Sequence, residues 1–335
     1  MPDKTTTNIE FIPEVDPTIK DAYVHDELVL FIGSGISRRL GAPGWAGFAD
    51  AIFEQLAYNP KSEVNHNLLN QIKNYPPRKK LSFALELAEG IVDLDFERAI
   101  LPKEIDTGSL HIYDYLNQLK CNVVTTNYDN FLHEQPNDDS LILPNLSEEE
   151  SKGIGKREII HRRSDINGVT LNKDKHKIIH LHGCLDHNKN EDLVITTSDY
   201  LRLYEPSEDN NILKFLRSLF RDGPWTILFI GYGLDEMEIL EYLLRHDSNN
   251  GENEEAIIDR FWLKGFYSHQ EEEFNLLRTY YRKNFKVKVI PFCLDKNKYT
   301  QLDLVIENWV RKLQIAKHST PENVVHLVRK INKDG

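Results

Sequence analysis

The sequence predicts an α/β fold built on a mostly parallel sheet, and two apolar runs that end in glycine carry this prediction. The residues from Leu28 to Ile32 are all apolar and precede Gly33, and the stretch from Trp225 to Ile230 repeats the pattern before Gly231. Such runs are typical of strands buried on both faces of a parallel sheet. The stretches between the predicted strands show helical spacing without internal repeats, which favours alternating strands and helices.

The first half of the chain contains two predicted strands separated by a long helical region. Residues 1–26 are predicted to be an N-terminal arm, because prolines interrupt any longer helix there. The first strand is predicted at 27–32 and the second at 122–126. Apolar residues recur at helical spacing between them, and residues 62–120 are predicted to form a small helical subdomain.

The second half begins with a polar, charged stretch at 135–176, which is predicted to be an insertion. The elements after it are predicted from apolar runs and from helical spacing. They are strands at 177–183, 193–195, 225–230, 260–264 and 286–292, with helices across 198–221, 268–283, 300–315 and 321–332. The main domain is therefore predicted to span 27–296, followed by C-terminal helices over 297–335.

Composition predicts a soluble, cytoplasmic protein. The 335 residues include no apolar run of the length that spans a bilayer, and the N-terminus carries no signal-peptide core. The three cysteines are too far apart for a C-x-x-C metal motif and are predicted to be reduced thiols. A formal charge of −12 argues against broad, non-specific binding to nucleic acid, because an acidic surface and the phosphates repel each other.

Polar groups follow four of the predicted strands, and ligands of open parallel sheets bind beyond such strand ends. The four groups are Gly33-Ser34-Gly35, Thr125-Thr126-Asn127-Tyr128-Asp129, His180-Leu181-His182-Gly183 and Gly231-Tyr232-Gly233. Each has an ordinary explanation as a turn glycine, a helix cap or a half-buried histidine. Together, a glycine loop able to bind phosphate, a carboxamide, a carboxylate and an imidazole are typical of a nucleotide-processing site.

Several other classes of site do not fit these residues. Gly33-Ser34-Gly35 has its serine one position too early for a nucleophile elbow, and the chain has no phosphate-loop ATPase motif. A dehydrogenase loop requires a third glycine where Arg38 stands, and its second strand follows much sooner than here. His180 and His182 are candidate ligands of one metal ion, but no third ligand has a suitable spacing, so no metal site is predicted.

Taken together, the four groups resemble the motifs of the sirtuin family over about residues 27–292. Gly33-Ser34-Gly35-Ile36-Ser37 is similar to the Gly-Ala-Gly-Ile-Ser loop, and Thr126-Asn127-Tyr128-Asp129 to Thr-Gln-Asn-Ile-Asp with one residue dropped. His182-Gly183 is similar to the catalytic His-Gly pair, and Gly231-Tyr232-Gly233 stands in place of Gly-Thr-Ser. The resemblance implies a Rossmann-like sheet with a small helical subdomain.

The departures from the family pattern imply a particular branch of it. The four zinc-binding cysteines of sirtuin deacylases are missing, so no zinc module is expected, and Gly41-Ala42-Pro43-Gly44-Trp45 lacks the arginine of the corresponding family stretch. These features resemble the bacterial anti-phage branch, which includes the Thoeris effector, the defence-associated sirtuins and the subunits paired with HerA-type ATPases. The resemblance implies an NAD⁺ hydrolase that releases nicotinamide and ADP-ribose, with NAD as substrate and no metal.

The resemblance also implies a role for each site residue. Asn127, His182 and Asp129 would be catalytic, with Asn127 holding the ribose or the attacking water, His182 as general base and Asp129 as orienting group. The NAD-binding residues would be Gly33, Ser34, Gly35, Ser37, Thr126, Gly231, Tyr232 and Gly233. His180 is the rival base, because an alternating strand would place it on the same face as His182.

Two other functions remain open at the level of sequence. A protein deacylase would need a substrate groove beside the absent zinc module, and a subunit that only binds NAD or ADP-ribose would not need a base. A free NAD hydrolase would be toxic, so control is expected through a homo-oligomer, with a HerA-type ATPase as a candidate partner. Neither a membrane nor a specific nucleic-acid sequence is an expected partner.

Overall fold

A parallel sheet of seven strands forms the centre of the protein. The computed structural model describes residues 9–90, 93–101, 111–133, 157–166, 171–185, 193–234, 239 and 259–319. The strands are β1 Leu28–Ile32, β2 Asn122–Thr125, β3 Glu158–Ile160, β4 Lys177–His180, β5 Thr226–Ile230, β6 Arg260–Phe266 and β7 Val287–Cys293. They are all parallel and lie in the order β3-β4-β2-β1-β5-β6-β7, which confirms the predicted Rossmann-like α/β fold.

Helices cover both faces of this sheet. The described α-helices are α1 Pro17–Val24, α2 Ser34–Ser37, α3 Trp45–Tyr58, α4 His66–Ile72, α5 Pro77–Ala88, α6 Phe96–Ile100, α7 His111–Gln118, α8 Thr197–Leu203, α9 Asn211–Arg217, α10 Glu271–Phe285 and α11 Gln301–His318. Successive side chains of β1 point to opposite faces. Val29 and Phe31 pack with α8, α9 and α10, whereas Leu28, Leu30 and Ile32 pack with α1, α7 and α11.

A separate core joins the helices α3 to α6. Phe48, Ile52 and Phe53 of α3 are buried with Leu81 and Ala84 of α5. The predicted helical subdomain, 62–120, differs from this grouping because α3 lies in this core and α7 packs against the sheet. The observed grouping depends on which core each helix turns its apolar face towards. The spacing of apolar residues in the sequence does not give this information.

The residues predicted as an N-terminal arm are packed against the C-terminal part of the chain. Ile19 and Tyr23 of α1 are buried in the core that contains α11. The Trp309 indole N–H of α11 donates to the Pro13 carbonyl at 2.8 Å, and the Cys293 amide of β7 donates to the Glu10 carbonyl at 2.8 Å. The arm and α11 therefore belong to the layer that covers one face of the sheet.

Two strand predictions differ from the structure. Residues 193–195 are buried but lie outside the sheet, because the Val194 amide donates to the His182 carbonyl and its carbonyl accepts from the Tyr128 hydroxyl. Conversely, β3 lies inside the stretch 135–176 that was predicted to be an insertion, and it forms the edge of the sheet beside β4. The rest of that stretch up to residue 156 and the predicted helix at 321–332 lie outside the described residues.

The described cysteines are free thiols, as predicted, and all three are buried. None of the described helices has both the length and the apolar character required to cross a bilayer.

Candidate functional site

A cavity of about 770 Å³ lies at the carboxyl ends of β1, β2 and β5. From β1, the sheet runs through β2 in one direction and through β5 in the other, so this is the topological switch point where such folds bind ligands. Its size is within the range of small-molecule sites. The predicted site residues that line it are Ser34, Gly35, Ser37, Thr126, Asn127, Asp129, Gly231, Tyr232 and Gly233; Gly33 and His182 do not.

The two glycine loops lie against each other at the base of the cavity. A Cβ at position 33 would lie 2.5 Å from the Tyr232 Cα, and one at position 35 would lie 2.7 Å from the Gly231 carbonyl oxygen. Gly231 itself has φ +63°, which favours glycine. The close approach of the loops therefore requires these glycines whether or not a phosphate binds.

The amide groups of these glycines are already hydrogen-bonded within the protein. The Gly33 N–H donates to the Ile230 carbonyl at 3.0 Å, and the Gly35 N–H donates to the Gly231 carbonyl at 2.8 Å. The loop therefore does not offer these two amides to a ligand, although the sequence predicts that it binds the pyrophosphate. Ser34, which lies exposed between them and lines the cavity, is the residue of this loop that remains placed for such contact.

Asn127 is held in one orientation by the end of β1. Its Nδ2 donates to the Gly33 carbonyl at 3.2 Å and to the Ser37 Oγ at 2.9 Å. Because a carbonyl oxygen only accepts, these contacts fix which end of the carboxamide is the nitrogen. The other end, Oδ1, is buried and has no hydrogen-bond partner among the described residues. An unsatisfied acceptor of this kind on a residue that lines the cavity is suited to a ligand hydroxyl or a water.

Asp129 completes this buried network through Ser37. The Ser37 hydroxyl donates to the Asp129 Oδ2 at 2.5 Å and accepts from the Tyr113 hydroxyl at 3.3 Å. Burial raises the pKa of Asp129, and the hydrogen bonds from Ser37 and from the Phe131 amide oppose that rise in part. Asp129 thus holds Ser37, which in turn holds Asn127.

His182 lies apart from the cavity, behind aromatic side chains. It is 1% exposed, its Nε2 is 2.9 Å from the Tyr204 hydroxyl, and its Nδ1 is 3.3 Å from the Tyr200 hydroxyl. The Tyr200 ring in turn packs against Trp45, whose ring centre is 6.3 Å away, and Trp45 lines the cavity. The sequence predicts His182 in the same site as Asn127. In the structure, His182 does not line the cavity.

His180 is directed to a different place from His182. The strand β4 ends at His180, so the alternation assumed for residues 177–183 stops before His182. The His180 Nδ1 lies 2.9 Å from the Asn127 carbonyl, and its Nε2 lies 2.9 Å from the Nε2 of His133. Burial, together with His133, lowers the pKa of His180 to about 3, so the ring is neutral at pH 7.

The sequence analysis does not predict two arginines and a tryptophan that line the cavity. Arg38 and Arg78 line it, and the Arg78 guanidinium lies 3.5 Å over the Tyr200 ring, which is a cation–π contact. No hydrogen bond or ion pair holds the Arg38 guanidinium within the described part of the chain. A signal for Arg38 exists in the sequence, because it replaces the third glycine of a dinucleotide loop. Arg78 and Trp45 come from the helical subdomain, and nothing in the sequence places them beside β1.

Comparison with known families finds a match. Residues 122–283 match a family model described as a SIR2-like domain. The match supports a sirtuin-like family. It includes Asn127, Asp129, His182 and the Gly231–Gly233 loop, and it begins after the loop that contains Gly33. No curated protein matches the chain. SIR2-like domains generally use NAD, so the match supports an NAD-related activity for the chain.

Proposed function

We propose that the protein hydrolyses NAD⁺ to nicotinamide and ADP-ribose. The observation that carries this proposal is Asn127, a residue that lines the cavity and whose buried Oδ1 has no hydrogen-bond partner among the described residues. A fixed acceptor at this point suits a ribose hydroxyl or an attacking water, and hydrolysis of the bond between ribose and nicotinamide consumes such a water. The SIR2-like match supplies the reason to choose NAD over other nucleotides.

The reaction needs a water molecule and a place for its proton. As the C1′–N bond to nicotinamide breaks, the bonding pair leaves with the nicotinamide nitrogen, which neutralises the positive charge of the ring. The water oxygen bonds to C1′ and releases one proton. Asn127 would bind the water or the adjacent hydroxyl, and Asp129 and Ser37 would hold Asn127 in position.

The cationic side of the cavity would bind the pyrophosphate of NAD. Arg38 and Arg78 line the cavity, and charge-assisted hydrogen bonds from guanidinium groups are strong ligands of phosphate oxygens. Ser34 lies beside them on the exposed turn of the loop. This assignment transfers part of the predicted phosphate binding from the Gly33 and Gly35 amides to side chains.

We propose His182 as the proton acceptor only in a rearranged site. Its contacts with Tyr200 and Tyr204 would have to open, and Trp45 would have to move, before the imidazole reached the cavity. A general base that is well placed contributes about 10²–10⁴ in rate. The described conformation would then be one of low activity, which is consistent with the control that a toxic NAD hydrolase requires.

Nicotinamide release from NAD by the purified protein tests the proposal. Asn127→Ala is expected to lower kcat by about 10²-fold or more, because it removes the acceptor from the cavity. Asn130→Ala is the matched control: Asn130 is exposed, lies three residues along the same loop and does not line the cavity. Equal rates for Asn127→Ala and Asn130→Ala would contradict the assignment of Asn127.

His182→Ala separates the two parts of the mechanism. Loss of turnover in this variant with unchanged NAD affinity supports His182 as the base, whereas full turnover shows that water loses its proton without it. NAD binding with no turnover in the unaltered protein would instead support a subunit that binds NAD or ADP-ribose. Turnover only in the presence of an acetylated peptide would support a protein deacylase.

We further propose that the protein is the toxic effector of a bacterial anti-phage system and acts as a homo-oligomer, with a HerA-type ATPase as a candidate partner. The resemblance of the four motifs to that branch supports this role. The exposed side chains of Leu304 on α11 and of Tyr299 just before it suit an assembly surface, since both are large and mostly apolar. Light scattering that shows a monomer with full activity at every concentration would contradict the oligomer.

A further inference from the structure

A buried cluster of two imidazoles and one thiol lies behind the loop that carries Asn127 and Asp129. The ligand atoms of His133, His180 and Cys184 all lie within 4.8 Å of one another, and the two histidine Nε2 atoms are 2.9 Å apart. His180 and Cys184 are buried, and His133 is partly buried. The sequence does not reveal this set, because His133 lies 47 residues before His180 and the three residues follow no metal-binding motif.

We propose that His133, His180 and Cys184 bind a divalent transition-metal ion, with Zn²⁺ as the expected ion. Two imidazoles and one thiolate form a ligand set that suits Zn²⁺. Bond lengths of about 2.0 Å to nitrogen and 2.3 Å to sulfur place tetrahedral ligand atoms about 3.3–3.6 Å apart. The two nitrogens would separate by a few tenths of an ångström, and the thiol would move towards them. The fourth position is left for a water molecule.

The hydrogen bonds around the cluster prepare its atoms for a metal. The Asn127 carbonyl accepts a hydrogen bond from the His180 Nδ1, which places the proton of this ring on Nδ1 and a lone pair on Nε2. An outer hydrogen bond of this kind is the usual way in which a metal-binding histidine is oriented. The His133 Nε2 donates to that lone pair at present, so on metal binding its proton would move to Nδ1.

Metal binding would also change the contact of Cys184. Its thiol donates at 3.7 Å to the Asp129 carbonyl and at 3.6 Å to the Leu185 carbonyl. On metal binding the thiol loses its proton to solvent, and the sulfur–metal bond replaces these two weak contacts. One ion would thus link β4 to the loop between β2 and His133, whose Asn127 and Asp129 side chains reach the cavity.

Metal content of the purified full-length protein tests this site. After equilibration with Zn²⁺ and removal of the excess, the unaltered protein is expected to retain one ion per chain. With Co²⁺ in place of zinc, we expect the near-ultraviolet band of thiolate-to-cobalt charge transfer. His133→Gln and Cys184→Ala are expected to bind the ion at least about tenfold more weakly, since loss of even an outer-shell partner lowers metal affinity about 10–100-fold.

Matched variants distinguish this site from other histidines and thiols. His176→Gln and Cys293→Ala change residues outside the cluster and are expected to retain the ion and the cobalt band. If Cys184→Ala fails to fold, His133→Gln still tests the metal site. His133 is only partly buried, so the circular dichroism of this variant is expected to match that of the unaltered protein. Equal metal content in all variants, or cobalt binding without the charge-transfer band, would overturn the proposal.

Discussion

Arg38 stands where a dinucleotide-binding loop has its third glycine, and the structure gives that side chain a place on the cavity. The next residue, Arg39, points elsewhere and pairs with Asp303 of α11 at 2.9 Å. Two adjacent arginines thus serve different purposes, one facing the candidate site and one joining the loop to the helical layer. Sequence position alone does not separate them.

Arg38→Ala is expected to raise KM for NAD about tenfold or more, with a smaller effect on kcat. A hydrogen bond between charged groups contributes about 1.5–3 kcal/mol, and this one would act on the pyrophosphate and not on the reacting carbon. Steady-state kinetics of nicotinamide release measure both constants. Arg39→Ala is the control, and it is expected to leave KM unchanged. An Arg38→Ala enzyme with the same KM as the unaltered protein would remove Arg38 from the binding site.

The glycine loops of the site lie together for a reason that the sequence does not contain. A glycine after a strand indicates a turn or a phosphate loop, and the structure adds that Gly33 and Gly35 lie against Tyr232 and Gly231. This contact depends on the pairing of β1 with β5, which are far apart in the chain. The place of His182 outside the cavity depends in the same way on distant residues, since its ring contacts Tyr200 on α8 and Tyr204 just beyond it.

At the scale of elements, α11 joins the two ends of the described chain. Val305, Ile306, Trp309 and Leu313 are buried on its inner face, and the Trp309 indole reaches the Pro13 carbonyl. The side chain of Gln301, at the start of the helix, donates to the Phe11 carbonyl at 2.8 Å. The helix therefore fixes the N-terminal arm and covers the sheet at the same time.

Trp309→Ala is expected to lower the free energy of unfolding by about 3–5 kcal/mol, since it opens a cavity in the core and leaves the Pro13 carbonyl without its donor. Urea unfolding measured by circular dichroism gives this value. Ile315→Ala, on the same helix at 57% exposure, is expected to change it by less than about 0.5 kcal/mol. Similar losses in both variants would contradict the idea that burial of Trp309 is what makes its replacement costly.

The strands that the sequence predicts correctly are those with long buried runs. Every residue of β1 and β5 is buried, and both runs are plain in the sequence. The edge strand β3 has three residues, of which only Ile160 is buried, so it gives no apolar signal. Residues 193–195 give that signal and are buried, but two of them, Leu193 and Ile195, pack in the core of the helical subdomain. An apolar run predicts burial more securely than it predicts a place in the sheet.

At the scale of the whole molecule, a partly buried histidine, His176, links stability to pH. Burial lowers the pKa of His176 to about 4, partly opposed by Asp26, whose Oδ1 lies 3.6 Å from the His176 Nε2. Arg157, Lys317 and Lys120 also lower it. Because the usual pKa of histidine is about 6.5, the unfolded chain binds more protons than the folded chain between these two values. The free energy of unfolding is therefore free of any loss from His176 above about pH 6.5, and this histidine lowers it as the pH falls towards 4.

His176→Gln is expected to reduce the slope of stability against pH in this range by at most about 1.4 kcal/mol per pH unit, the effect of one proton. The free energy of unfolding, measured in urea across the range with a metal chelator present, gives the slope. The low pKa of His180 acts in the same direction, so part of the slope is expected to remain. Identical slopes for the variant and the unaltered protein would contradict this role of His176.

The position of β1 between β2 and β5 has a consequence for synthesis of the protein. One edge of β1 pairs with residues 122–125, but the other edge has no partner strand until residues 226–230 have been synthesised. At a translation rate of about 5–20 residues per second, roughly 200 further residues take about 10–40 s to appear. Throughout that interval the Gly231–Gly233 wall of the cavity does not exist. A nascent chain that is released early therefore cannot present the site, whatever its N-terminal half has already folded.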